Sequence, residues 1–155
     1  MQKAFLHFSH WIDQGIKLEK IKFDSQIIKF LSLFESLTKA NVKDCINTEN
    51  LVIFIVEQNE IAKAIGKNGA NVRRIEGMLK KKIKIIEYNT DLTKFVANII
   101  FPIRAKEIRD EEGVVTIVSN DLKSRGFMIG RNATILRSNE NILKRYFDVN
   151  EIKVE

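Results

Sequence analysis

The chain has 155 residues, 45% of them hydrophobic and 30% charged, with a formal net charge of +6. That length suits one mid-sized domain or two small ones of about 65 to 75 residues each. One Pro and seven Gly over the whole chain exclude low-complexity linkers, and a single Cys, Cys45, excludes an internal disulfide or a paired-thiolate zinc site.

No apolar run approaches the roughly 18 to 20 residues of a bilayer span. His7, His10 and Asp13 interrupt the apolar residues near the start, unlike the core of a secretory signal. A cytoplasmic protein without membrane contact is expected. Residues 1–22 read as an N-terminal extension in which Phe5, Phe8 and Ile12, with Trp11 and Ile16, stripe a short amphipathic helix. Packing on the neighbouring domain is its ordinary use, and docking on a protein partner is the alternative. His7 and His10 are three apart but have no third ligand at matching spacing, so no metal site is expected.

From residue 23 the chain reads as two tandem units, 23–89 and 90–155. In the first, Asp24-Ser25 is a plausible N-cap, and Ile27, Ile28, Phe30, Leu31, Phe34 and Leu37 continue at helical spacing to about Thr38. Val42–Ile46 and the β-branched run Leu51–Val56 predict strands around a turn at Asn47-Thr48-Glu49-Asn50. A helical turn over Glu60–Ile65 runs into Gly66-Lys67-Asn68-Gly69. Val72, Ile75 and Leu79 then stripe another helix, and Ile83–Ile86 makes a last strand.

The second unit repeats that order. A helix starts at Asp91 and runs through Phe95, Val96 and Ile99. Ile103–Ile108 and Val114–Val118 are strands around Glu111-Glu112-Gly113. Helices follow over Leu122–Ile129 and Ile135–Phe147 on either side of Gly130-Arg131-Asn132-Ala133, and Glu151–Val154 closes the sheet. Ile129-Gly130-Arg131-Asn132 echoes Ile65-Gly66-Lys67-Asn68 at an offset of 64 residues, and Arg137 falls in register with Arg73. The expected class is α/β (α+β), two domains of order α-β-β-α-α-β, each with a three-stranded sheet. The junction from Tyr88 to Asp91 is too short for a flexible linker, so one rigid body is expected.

Charge is uneven along this plan. Residues 60–90 carry eight Lys or Arg against three Glu, whereas residues 1–59 balance to zero. Nearly all the excess surrounds the first glycine loop, although such a run is also compatible with a solvated helix face. A Gly-x-x-Gly between two helices allows a sharp turn, a helix start with outward N–H groups and close approach of a phosphate chain. Four letters alone are a weak signal. Their place between two helices, their repetition and their positive setting together are a strong one.

On the residues IAKAIGKNGANVRRIEGMLKKKIKIIE, preceded by IKFDSQIIKFLSLFESLTKANVKDC, the chain resembles the KH family of RNA-binding domains in its type II form. Two such units in a chain of this size look like the archaeal NusA-like proteins. The resemblance covers about Phe23 to Glu155 and implies single-stranded RNA as ligand, RNA polymerase as partner and a role in transcription termination or antitermination. Carried over by position, Gly66, Lys67, Asn68 and Gly69 form the first clamp, with Lys63, Arg73 and Arg74 as phosphate partners. Gly130, Arg131 and Asn132 form the second, helped by Arg125 and Arg137. Ala133 departs from the pattern. Its methyl is a minor obstacle if the residue is helical and a real one if the backbone needs a positive φ. Ile61, Ala64, Ile65 and Val72 are candidates for an apolar floor under the bases or simply for core.

Asp110-Glu111-Glu112 reads as a solvated turn, Lys80-Lys81-Lys82 as a helix end or an extension of the RNA track, and Cys45 as a buried strand residue. No catalytic motif, cofactor fingerprint or small-molecule site is present, so a non-enzyme is expected. Two other uses of the same fold remain open at this stage. One is ribosome assembly or RNA processing, and the other is polymerase docking with vestigial RNA sites.

Overall fold

The computed structural model describes residues 25–155, which divide into two units between Tyr88 and Asn89. The expected N-terminal helix, the His7 and His10 pair and the Asp24 cap lie outside the described residues.

In the first unit α1 (Ser25–Thr38) turns Leu31 and Phe34 into the core, with Ile27, Phe30 and Leu37 half-buried beside them. Its end is built by Thr38, whose hydroxyl donates to the Phe34 carbonyl at 2.8 Å and accepts from the Ala40 N–H at 3.1 Å. Lys39 takes a left-handed φ of 60° and stops the helix. β1 (Val42–Asn47) and β2 (Leu51–Val56) form an antiparallel hairpin, and β2 is buried at every residue but its first. That is why its sequence, LVIFIV, shows no polar alternation. Phe54 stacks on Phe34 with ring centroids 4.2 Å apart. Cys45 is buried in β1 as expected.

A short helix α2 (Ile61–Ile65), the loop, and α3 (Ala70–Leu79) then cross over to β3 (Lys82–Glu87), which pairs parallel to β2. Ala64 and Ile75 point into the same core as Val52, Phe54 and Val56. At the end of α3, Lys80 is left-handed and the Lys81 ammonium donates to Asn47 Oδ1 at 2.7 Å and to the Thr48 carbonyl at 2.6 Å. Lys81 therefore fastens the hairpin turn to the sheet.

The second unit has the same order: α4 (Leu92–Ile100), β4 (Ala105–Glu111), β5 (Val114–Ser119), α5 (Leu122–Ile129), α6 (Thr134–Lys144) and β6 (Glu151–Val154). Again the hairpin is antiparallel and the last strand runs parallel to the middle one. Asp91 and Asp121 cap α4 and α5, accepting from the Thr93 and Ser124 N–H groups at 3.0 and 2.7 Å. Hydrogen bonds from Thr93 and Ser124, respectively, hold both carboxyls below the usual carboxylate range.

Several boundaries differ from those expected, most by a single residue. β4 begins at Ala105 rather than Ile103, because a turn closed by an Ile103 N–H to Ile100 carbonyl bond of 3.0 Å occupies the chain there, and it runs on to Glu111 rather than Ile108. α6 ends at Lys144 rather than Phe147. Tyr146 and Phe147 instead pack on Phe95, with centroids 5.8 and 5.9 Å from its ring. Asp110 and Glu111 belong to β4, and the turn is Glu112-Gly113 with both φ positive. Among the described residues no helix is long and apolar enough to cross a membrane, and no group of His, Cys, Asp or Glu could hold a metal.

Candidate nucleic-acid interface

α2 ends on Gly66, whose φ of 77° and ψ of 171° lie in a region that only glycine enters readily. A Cβ there would also stand 2.8 Å from Asn71 Nδ2 and 3.1 Å from the Asn71 backbone nitrogen. Asn68 and Gly69 follow in left-handed conformations, φ/ψ 54°/30° and 73°/19°. The Ala70 N–H donates to the Lys67 carbonyl and closes a tight turn of type I′, for which Asn-Gly is a preferred pair. The loop therefore projects Lys67 and Asn68 as its exposed tip, directly ahead of the first turn of α3. Helix starts of this kind supply peptide N–H groups that an anion can accept from.

Two side chains hold this shape. Asn71 Nδ2 donates to the Lys63 carbonyl at 3.1 Å, tying α3 to the end of α2. The Arg73 guanidinium donates to the Asn68 carbonyl, so the Arg73 side chain also braces the loop it was expected to flank. Lys63 pairs with Glu60 at 3.3 Å and remains half-exposed. Arg74, on α3, is exposed. Of the four candidates for an apolar floor, Ala64 is core, Ile61 and Val72 pack against that core, and Ile65 alone is exposed.

The second loop repeats the backbone almost angle for angle. Gly130 has φ 75° and ψ 174°, Asn132 56° and 30°, and Ala133 59° and 25°. Ala133 is thus left-handed, and its methyl is the real obstacle of the two possibilities. Arg131, Asn132 and Arg125 are exposed. Arg137 pairs with Glu140 at 3.5 Å. No counterpart of the Asn71 tie exists at its register position, where Ile135 stands and packs over Gly130. Instead the Thr134 hydroxyl donates to the Arg131 carbonyl at 2.8 Å.

Sequence reasoning missed one supporting pair. Glu76 Oε2 accepts from the Ile83 N–H at 3.0 Å, and Glu140 Oε2, in register with Glu76, accepts from the Ile152 N–H at 2.9 Å. Each carboxylate ties the helix after the loop to the last strand of its sheet. Glutamate recurring at the 64-residue offset was the available signal.

A family model described as KH domain matches residues 31–113. A protein of Methanocaldococcus jannaschii named "Probable transcription termination protein NusA" is 32% identical over 88% of this chain and 76% of its own length. The chain belongs to the archaeal NusA-like family of KH-domain proteins. A second NusA-like relative, from Methanococcus vannielii and of the same name, is 33% identical over 87% of this chain and 80% of its own. The crystal structure of APE1850 superposes with a TM-score of 0.68 at 26% identity, covering 84% of this chain and 98% of that one. Both units of this NusA-like chain carry their glycine loop in the same place, between the two helices that cross from the middle strand to the last.

Proposed function

We propose that this NusA-like protein binds single-stranded RNA without catalysing a reaction, and that it acts in transcription termination or antitermination with RNA polymerase as partner. The observation that carries the RNA reading is the first loop. A glycine that tolerates no side chain, a cationic exposed tip and a helix start coincide at the centre of the basic segment. Backbone phosphates would lie along Gly66–Gly69, with Lys67, Lys63 and Arg74 supplying charge and Arg73 holding the turn. The second loop would grip through Gly130, Arg131 and Asn132, with Arg125 and Arg137 beside it. The termination role rests on the names of the two methanogen relatives and on nothing in the loop itself.

Salt titration of short single-stranded RNAs tests the binding. With about three to five phosphates neutralised, log K falls with log salt at a slope of roughly −2 to −3.5. A Lys67→Asp, Asn68→Asp variant, with its fold checked by circular dichroism, should lose most of that binding. Asp tolerates the left-handed backbone at position 68, so the fold should survive. Equal binding by both proteins would remove the first loop from the interface. No binding by either would leave polymerase docking as the better use of the fold. That Asn132 and Ala133 keep the same backbone as Asn68 and Gly69, despite a methyl at a positive φ, supports two working loops over one.

A further inference from the structure

The two loops share a backbone but not a surface. At the 64-residue offset Lys63 is replaced by Phe127, Asn71 by Ile135 and Arg74 by Ser138. The first two changes turn a cation and an amide into apolar side chains, and neither of the new residues is buried. Phe127 is 56% exposed and Ile135 45% exposed. Among the described residues six large apolar side chains are exposed, and three of them, Leu122, Phe127 and Ile135, lie on the two helices that flank Gly130–Ala133. Ile135 sits so close over the loop that a Cβ on Gly130 would be 2.7 Å from its Cγ1. At positions 127 and 135 the wall of this loop is therefore apolar where the matching positions 63 and 71 of the first are polar.

The surroundings of that apolar wall are cationic. Lys123 Nζ stands 5.9 Å from the centroid of the Phe127 ring. Arg125 shares α5 with Phe127, and Arg131 is exposed at the loop tip. Exposed aromatic rings interleaved with Lys and Arg suit the face of a nucleobase, with phosphates held by the cations alongside. An apolar protein surface would gain nothing from Arg125 and Arg131, and a bare phosphate would gain nothing from Phe127 and Ile135. Single-stranded RNA presents both chemistries within one nucleotide.

We infer that the second loop seats a nucleobase of single-stranded RNA against the Phe127 ring, with Ile135 beside it, whereas the first loop grips phosphates. This deepens the RNA-binding reading and rests on it. The two loops differ in what they add: the first supplies salt-sensitive affinity alone, whereas the second adds to its cationic contacts a stacking contact that salt barely affects.

The test compares the full chain with Phe127→Leu and Phe127→Trp on a short single-stranded RNA, intact and with abasic sites placed at successive positions. Because the ring is exposed, neither substitution opens the core, and circular dichroism checks this. Phe127→Leu should weaken binding to intact RNA by about 5- to 100-fold with an unchanged salt slope. At one or two abasic positions the native protein should weaken to match Phe127→Leu, which itself loses nothing further. Phe127→Trp should keep the affinity, and its added fluorescence should be quenched on binding, beyond any change from Trp11. Equal binding by Phe127→Leu and the native chain overturns the inference. So does a loss that is the same at every abasic position, or retained RNA binding with loss of polymerase association. Failure of the native chain to bind any RNA is a different result, because it removes the RNA-binding reading itself.

Discussion

Glu140 Oε2 accepts a 2.9 Å hydrogen bond from the backbone N–H of Ile152, joining α6 to the strand that completes the second sheet. Its other oxygen meets Lys144 at 3.3 Å, and Arg137 approaches at 3.5 Å. Ile152 is buried, so removing the carboxylate strands its N–H away from water. Glu140→Ala should destabilise the second unit by about 1–3 kcal/mol, with Glu140→Gln costing less because its amide oxygen still accepts. Urea unfolding followed by amide signals from each unit checks this. Loss confined to the first unit would refute the assignment.

The same carboxylate makes stability depend on acid. Burial pushes the Glu140 pKa up, but the Ile152 N–H together with Lys144 and Arg137 outweighs it, and the net shift is downward. A group whose folded pKa is depressed contributes stability above its unfolded pKa, near 4.3 for Glu. That contribution disappears as pH falls through the lower folded value. The gap in urea midpoint between the native chain and Glu140→Gln should be full at pH 6 and should close on acidification below about pH 4. A constant gap would mean that the ion pairs contribute nothing.

The loops make opposite predictions for similar substitutions. Gly66→Ala meets both a forbidden backbone region and Asn71, and should cost about 2–4 kcal/mol. For Gly69→Ala, the nearest atom to the new methyl is Arg73 Nη1 at 3.4 Å, an ordinary contact, so only the left-handed φ is charged against it. That change should cost about 1 kcal/mol. Ala133→Gly relieves the same strain in the second loop and should stabilise that unit by about 0.5–1 kcal/mol. Thermal melts of the three variants should rank Ala133→Gly highest and Gly66→Ala lowest.

Arg73 and Arg74 are adjacent but should behave differently. Arg74→Ala removes one exposed charge, and should lower RNA affinity while reducing the salt slope by about 0.7. Arg73→Ala releases the Asn68 carbonyl as well, so amide exchange in residues 66–70 should quicken even without RNA. If exchange is unchanged in Arg73→Ala, the guanidinium does not brace the loop.

The sequence shows its repeat, its element order and its glycine loops because those are local. The run from Leu51 to Val56 is continuous since the strand is buried on both faces, and Leu122 to Ile129 is bounded by Asp121 and Gly130, whose chemistry starts and stops a helix. What was not legible depends on partners distant in the chain. Nothing near Tyr146 says that it leaves the helix to meet Phe95, and nothing near Lys81 says that it reaches Asn47 and Thr48. Asn68 and Asn132 were expected in the two clamps, but their positive φ, which asparagine tolerates better than most residues, was not. Arg73 looked like a phosphate ligand because charge is visible in a sequence and its contact with the Asn68 carbonyl is not.

Each glycine loop lies inside the crossover between a middle strand and its parallel neighbour, and that position sets when the site comes into being. The β1–β2 hairpin closes over a short turn, whereas Leu51 finds Lys82 only after about thirty residues have been ordered, with the larger loop-closure entropy that this entails. During synthesis each hairpin leaves the ribosome before the strand that anchors the far end of its crossover. Competence to hold a ligand at either loop is therefore a late property of its unit, acquired with the final ladder, and the first unit reaches it before the second.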